Sequence, residues 1–153
     1  MDRRITPEEE RKFQSPNGKI VLVVATLDHW KTREPIASLF EGKKELWKMK
    51  LPHSHGPRAV SVTNSGVVVI FDEWINIASD HAVSVISKSG RKNQVWSYKD
   101  VQTILEVTNA KLTSTAKFGP WMSSMPWVSG DLVQIQAAGM ILTVDTKTNR
   151  ISK

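Results

Sequence analysis

Short apolar runs alternate with turn-forming polar residues along most of this chain. Four glycines, Gly18, Gly42, Gly66 and Gly90, follow one another at intervals of 24 residues. Each lies in a turn-like segment and is followed by a run that favours a strand, such as 19–26. Glycine tolerates positive φ and suits the tight reversal between antiparallel strands. The pattern predicts an all-β protein built from successive hairpins.

Alignment of the two halves indicates a longer unit of 48 residues, or two glycine intervals. In each copy a glycine turn leads to an apolar strand and then to an apolar-Asp-x-Trp tetrapeptide, 27–30 in one copy and 71–74 in the other. A polar loop, a second strand and a third strand that carries a tryptophan follow. Four strands in about 48 residues is the size of one β-propeller blade. We therefore interpret 13–51 and 58–98 as internal repeats.

The residues outside these two copies predict a third unit and one or two short helices. Ser97 begins a capping-box pattern, and the apolar spacing after it predicts a short helix from Tyr98 to Leu105. A degenerate third unit is expected over 111–153, ending in a hairpin that turns at Ala138-Gly139.

The two ends of the chain complete the prediction of fold. Thr6-Pro7-Glu8-Glu9 is typical of a helix N-terminus, so residues 1–12 are expected to form a short helix or an arm. The whole chain, 1–153, is expected to be one all-β domain, an antiparallel meander of blade-like sheets. The sheets would form an incomplete propeller or pack as a sandwich.

One segment carries a family resemblance. From Ala37 to Trp47 the chain has a strand, a Gly-Lys turn and a strand that ends in tryptophan, which resembles the repeat of quinoprotein-type β-propellers. The stretch from Val83 to Trp96 is similar but looser, and the likeness covers about 13–98. The Asp-x-x-Thr-Gly turn of that family is replaced here by 39–42. The resemblance implies blade geometry and gives no support for a quinone, so no cofactor is expected.

Composition narrows the class of protein. The chain is 40% hydrophobic and 24% charged, which indicates a soluble globular protein, and the longest apolar run, six residues, is far too short to span a membrane. There is no cysteine, which excludes disulfides and thiolate nucleophiles. No apolar leader follows Met1, so the sequence as written indicates the cytoplasm. An exported protein trimmed of its signal would look the same.

A net charge of +6 and six tryptophans are compatible with nucleic-acid binding. The positive charges are scattered among acidic residues, however, except at Lys43-Lys44 and Arg91-Lys92, where turn residues are expected to be solvated. This distribution argues against a nucleic-acid partner, which we retain as an alternative.

The four histidines, His29, His53, His55 and His81, are the candidate metal ligands. The His53-Ser54-His55 segment would place two imidazoles on one side of an extended strand, and the other two histidines follow strands into loops. A zinc or copper site would need three or four of them at one rim, and the alternative is that connector histidines are simply solvated. Asp72 would join such a site in a metal-dependent hydrolase.

The repeated aspartates Asp28 and Asp72 have two possible roles. They could ligate a cation or transfer protons, or they could accept backbone hydrogen bonds and fix the following loop. Their recurrence in both units favours the structural role.

The loop from Gly119 to Gly130 is the best candidate for a recognition surface. It holds Trp121, Met122, Met125 and Trp127 together with two prolines, outside any strand pattern. Trp and Met are enriched at binding surfaces, and the alternative is that the loop plugs one end of the core.

The leading functional hypothesis is a non-catalytic β-repeat module that binds a protein, a peptide or a second copy of itself. The alternatives are the metal-dependent hydrolase and single-stranded nucleic-acid binding.

Overall fold

The computed structural model describes residues 6–75 and 78–153. Within these residues, twelve strands form three four-stranded antiparallel sheets, and two short helices lie between the second and third sheets. In every sheet the strands are neighbours in chain order, so each sheet is a simple meander. The prediction of an all-β antiparallel meander with one or two short helices is confirmed.

The elements follow one another without crossovers. Sheet 1 consists of β1 (Glu10–Gln14), β2 (Ile20–Ala25), β3 (Ile36–Glu41) and β4 (Lys44–Lys50). Sheet 2 consists of β5 (Pro57–Val62), β6 (Val68–Glu73), β7 (Val83–Ile86) and β8 (Lys92–Trp96). The helices are α1 (Tyr98–Leu105) and α2 (Asn109–Thr115). Sheet 3 consists of β9 (Trp127–Ser129), β10 (Leu132–Ala137), β11 (Met140–Asp145) and β12 (Arg150–Ser152).

The regularly spaced glycines occupy the hairpin turns, as predicted. Gly18 and Gly66 lie between the first two strands of sheets 1 and 2, and Gly42 and Gly90 lie between the last two. All four have positive φ, from 59° to 89°. At three of them, the glycine N–H donates to the carbonyl three residues earlier, at 2.9 Å. A Cβ would be strained at these positions, which explains the residue type.

Sheet 2 is the middle layer of the molecule. Successive side chains of β6 point to opposite faces, and all of them are buried. Val68 and Ile70 pack with sheet 1, whereas Val69 and Phe71 pack with sheet 3 and the helices. The first strands of neighbouring sheets are in contact, β1 with β5 and β5 with β9. The sheets therefore approach one another along their first strands.

The predicted helix at the N-terminus is wrong where the structure describes it. Residues 6–8 have no regular structure, and β1 begins at Glu10 and pairs with β2 along its whole length. Arg11 also donates to the Pro57 carbonyl at 2.7 Å, which ties β1 to sheet 2. These tertiary contacts override the local helix signal. Residues 1–5 of that prediction lie outside the described residues.

The third sheet also begins later than expected. The helix α1 confirms its prediction, including the capping box between Ser97 and Asp100. The segment from 109 to 115 forms α2, capped by Thr108, so the third sheet starts only at Trp127. Neither helix of the described part is long and apolar enough to cross a membrane.

Candidate functional site

Two of the four histidines meet at a small cavity between sheets 1 and 2. His53 lies just beyond β4, and His81 lies just before β7. Their ring centroids are 5.3 Å apart, and both line a cavity of about 80 Å³. The other lining residues come from the end of sheet 1 and from β7 and β8: Leu51, Pro52, Ser84, Val85, Ile86, Lys92, Gln94 and Val95.

Polar atoms without partners are concentrated at this cavity. Neither ring nitrogen of His53 has a hydrogen-bond partner among the described residues, nor do Nδ1 of His81 and Oγ of Ser84. His53 is only 1% exposed. Burial, with smaller contributions from the charges of His81 and Lys92, lowers the pKa of His53 to about 3. The His53 imidazole is therefore neutral near pH 7 and offers one donor and one acceptor.

The predicted gathering of all four histidines at one rim is wrong. His29 is exposed and pairs with Glu9, whose carboxylate raises the pKa of the imidazole. His55 stacks against Trp30 with ring centroids 5.6 Å apart. In residues 6–75 and 78–153, no three His, Asp or Glu side chains are placed to hold a metal ion. Residues 52–56 form bends and a turn rather than an extended strand, and His55 has a φ of 61°, so the two rings reach different neighbours.

A second polar cluster lies where the first two sheets approach each other. The guanidinium carbons of Arg11 on β1 and Arg58 on β5 lie 5.1 and 4.9 Å from the ring centroid of Trp74. Arg58 donates to the Trp74 carbonyl. Burial lowers the pKa of both arginines, and the Arg58 charge lowers that of Arg11 further.

Asp72 is the buried acid of this cluster. Burial raises its pKa to about 7, although a hydrogen bond from the Glu73 N–H and the nearby Arg58 charge oppose the shift. Its Oδ1 accepts from Glu73 N at 3.0 Å, and its Oδ2 has no partner in the described part of the chain. A Cβ on Gly119 would lie 3.1 Å from that Oδ2, so the loop after α2 covers the carboxyl closely.

Asp28, the other aspartate of the repeated motif, accepts hydrogen bonds that hold the following loop, which is the structural role predicted for it. Asp28 lies beyond the end of β2, and its carboxylate accepts from Thr32 N at 3.1 Å and from the Thr26 hydroxyl at 3.1 Å. The hydrogen bonds to Thr32 are the main reason why the pKa of Asp28 is lowered.

The loop singled out as a recognition surface divides into two parts. Trp121 and Met122 are fully buried, and Trp121 packs against Phe71 with ring centroids 6.4 Å apart. Those two side chains plug the core and cannot contact a partner. Met125 is 49% and Trp127 is 37% exposed. Trp127 belongs to β9 rather than to an irregular loop, because it pairs with Gln134 on β10.

The outer faces of sheets 1 and 3 carry apolar side chains that remain accessible. On sheet 1, Val21, Val23 and Phe40 alternate with core residues, belong to neither core cluster and are partly exposed. On sheet 3, Trp127 lies opposite Gln134. Ile141, which is 44% exposed, lies opposite Gln136, the next residue of β10 on the same face. The Trp127 indole donates to Gln134 Oε1 at 3.2 Å.

Sequence patterns did not single out Arg11, Arg58 or Ser84. The neighbours that matter for each come from another sheet or from a loop. A polar residue inside an apolar run, such as Ser84 between Val83 and Val85, is the sequence feature that could have identified a buried polar site. A buried hydroxyl in such a run needs a partner.

No family model matches this chain. A bovine protein described as DNA excision repair protein ERCC-6-like is 33% identical to it over 98 residues. The match covers 63% of this chain but 8% of the bovine protein. The matched part therefore spans less than a tenth of that relative's length.

Proposed function

We propose that this chain is a non-catalytic β-sheet module that associates with a second copy of itself. The observation that carries the proposal is the open outer face on each side of the stack. Sheet 2 buries both of its faces, whereas sheets 1 and 3 each bury only one. Trp127 and Ile141 on one end, and Val21, Val23 and Phe40 on the other, are the side chains that a further sheet would cover.

The arrangement of the sheets supports a closed pair. Neighbouring sheets approach along β1, β5 and β9, so further sheets can be added around the same line of first strands. Two copies would bring six sheets together, and closed β-propellers contain roughly four to eight. Sheet 1 of each protomer would pack on sheet 3 of its partner, and a two-fold axis would make the contacts identical. This geometry agrees with the blade-like resemblance.

Size-exclusion chromatography with light scattering tests the proposal. Wild-type protein should have the mass of a dimer, and Val23→Arg or Ile141→Arg should convert it to a monomer, because each places a charge in the apolar contact. Leu27→Arg is the matched control, since Leu27 is 79% exposed in a loop. Circular dichroism checks that all variants keep the fold. A wild type that stays monomeric at its solubility limit contradicts the proposal. The proposal is also contradicted if Val23→Arg and Ile141→Arg both remain dimers.

A second candidate function is binding of single-stranded nucleic acid. The net charge of +6, the two arginines stacked on Trp74 and the description of the bovine relative as a DNA repair protein favour it. Fluorescence anisotropy with a labelled oligonucleotide should then show affinity that falls steeply with salt. Arg11→Gln with Arg58→Gln should weaken binding more than Lys43→Gln with Lys44→Gln. Equal weakening would indicate attraction to net charge alone.

A further inference from the structure

The cavity at His53 and His81 lies apart from the outer faces of sheets 1 and 3. Nine buried side-chain nitrogen and oxygen atoms of the described residues have no hydrogen-bond partner, and four of them belong to residues that line this cavity. Buried polar atoms are normally satisfied, and unsatisfied ones destabilise the fold unless water or a ligand reaches them. The concentration of such atoms in one cavity points to an occupant.

The charge of the lining indicates the sign of the occupant. The described residues that line the cavity include Lys92 and two histidines but no aspartate or glutamate. Ser84 offers a hydroxyl and Gln94 an amide, and neutral His53 offers one N–H. These donors and the ammonium group of Lys92 suit an acceptor that carries negative charge.

The size and the walls of the cavity limit the occupant further. A protein cavity of roughly 150 Å³ accommodates benzene, so about 80 Å³ accommodates roughly three to five heavy atoms. Leu51, Val85 and Val95 supply an apolar wall. A ligand with an oxyanion at one end and one or two carbons at the other matches both features.

We propose that this cavity binds a short-chain carboxylate of the size of acetate or propionate. The carboxylate would accept hydrogen bonds from Ser84 Oγ and from the imidazoles, with the Lys92 ammonium balancing its charge. The methyl or ethyl group would contact the valine and leucine wall. This proposal is independent of the self-association proposed above, because none of these residues lies on the outer faces of sheets 1 and 3.

Histidine ring resonances in NMR spectra provide the test. Sodium acetate and sodium propionate should shift the signals of His53 and His81 saturably, while sodium chloride at the same ionic strength should not. Propionamide tests the charge because it has the shape of propionate without the negative charge, and pivalate tests the size. Both should bind at least tenfold more weakly than propionate.

Two variants test the residues named. Ser84→Ala and Lys92→Gln should each weaken propionate binding by about tenfold, whereas Lys43→Gln, an exposed lysine in the β3–β4 turn, should leave it unchanged. The bound anion should also raise the pKa of His53 above about 3, its value in the protein without a ligand. A pH titration of the same resonance measures this change.

Three outcomes would overturn the proposal. Shifts that grow linearly with every salt would indicate a cavity filled by water only. Equal binding of propionamide would show that the negative charge plays no part. Saturable shifts produced by zinc ions, with none produced by carboxylates, would identify a metal site instead.

Discussion

The tetrapeptides 27–30 and 71–74 have the same pattern but lie at different depths in the molecule. Leu27 is 79% exposed, whereas Phe71 is completely buried. The reason is their position relative to the strands. The first tetrapeptide follows the end of β2, whereas Asp72 lies inside β6. The two aspartates are 44 residues apart and the turn glycines 48, so the motifs are out of step with the turns.

The chemistry of the two aspartates differs for the same reason. Asp28 is held by hydrogen bonds from residues of its own loop, which lower its pKa. Asp72 is completely buried between Arg58 and the loop at Gly119, and burial raises its pKa to about 7. A local sequence match therefore does not determine whether a carboxyl group stays charged. Burial by other segments decides that.

Truncating the first, apolar residue of each tetrapeptide should give the largest difference in free energy of unfolding between the two regions. Phe71→Ala would remove a buried ring that packs against Trp121, and we expect it to lower the free energy of unfolding by about 3–5 kcal/mol. Leu27→Ala should change it by less than about 0.5 kcal/mol, because the side chain is largely in water already. Urea unfolding measures both. Equal losses would mean that the loop after β2 packs against something in solution.

The two aspartates should also give different dependences of stability on pH. The pKa of Asp72 is about 7 in the folded state and about 3.9 unfolded, so the folded protein binds more protons between these values and loses stability as the pH rises. Asp72→Asn cannot ionise. Its free energy of unfolding relative to wild type should therefore rise by about 4 kcal/mol between pH 4 and pH 8, since about three pKa units separate the two states.

Asp28→Asn is the control for that measurement. Because the pKa of Asp28 is lowered, its stabilising effect is present above its unfolded pKa and is lost only in more acidic solution. Between pH 5 and pH 8 the difference from wild type should therefore be constant. Urea unfolding at several pH values gives both curves, and a flat profile for Asp72→Asn would show that Asp72 ionises normally.

The sequence was sufficient to predict most strands of sheets 1 and 2 because their signals are local. Turn glycines and apolar alternation lie within a few residues of the strands they define, as at Gly66 before β6. The helix at α1 was predictable for the same reason, since Ser97 and Asp100 cap it within one turn. At Thr6, an equally local signal failed because β1 pairs with β2 and is tied to sheet 2 through Arg11 and Pro57, which are far apart in sequence.

The candidate site depended on contacts that no local pattern contains. His53 meets His81 rather than His55, because the chain turns between them and brings the start of β7 to the end of β4. The sequence predicts Trp121 in a recognition loop, whereas the side chain fills the core beside Phe71. Tryptophan suits both environments, and only the packing of sheet 2 against sheet 3 distinguishes them.

Substitution of the two tryptophans should give the smallest difference in free energy of unfolding between the tetrapeptides. Trp74 contacts the guanidinium groups of Arg11 and Arg58, whereas Trp30 stacks on His55 and donates from its indole to the Pro7 carbonyl at 3.0 Å. Both side chains are partly exposed. Cation–π contacts contribute about 0.5–1 kcal/mol each at exposed sites and more where water is excluded.

We therefore expect Trp74→Leu to lower the free energy of unfolding by about 1 kcal/mol more than Trp30→Leu does. Trp74→Phe should recover part of that loss, because a phenyl ring still attracts the two arginines. Trp30→Phe should recover less, since phenylalanine cannot donate to Pro7. Equal recovery by phenylalanine in urea unfolding would show that both rings act only through their apolar area. The difference between the tetrapeptides would then be one of burial alone.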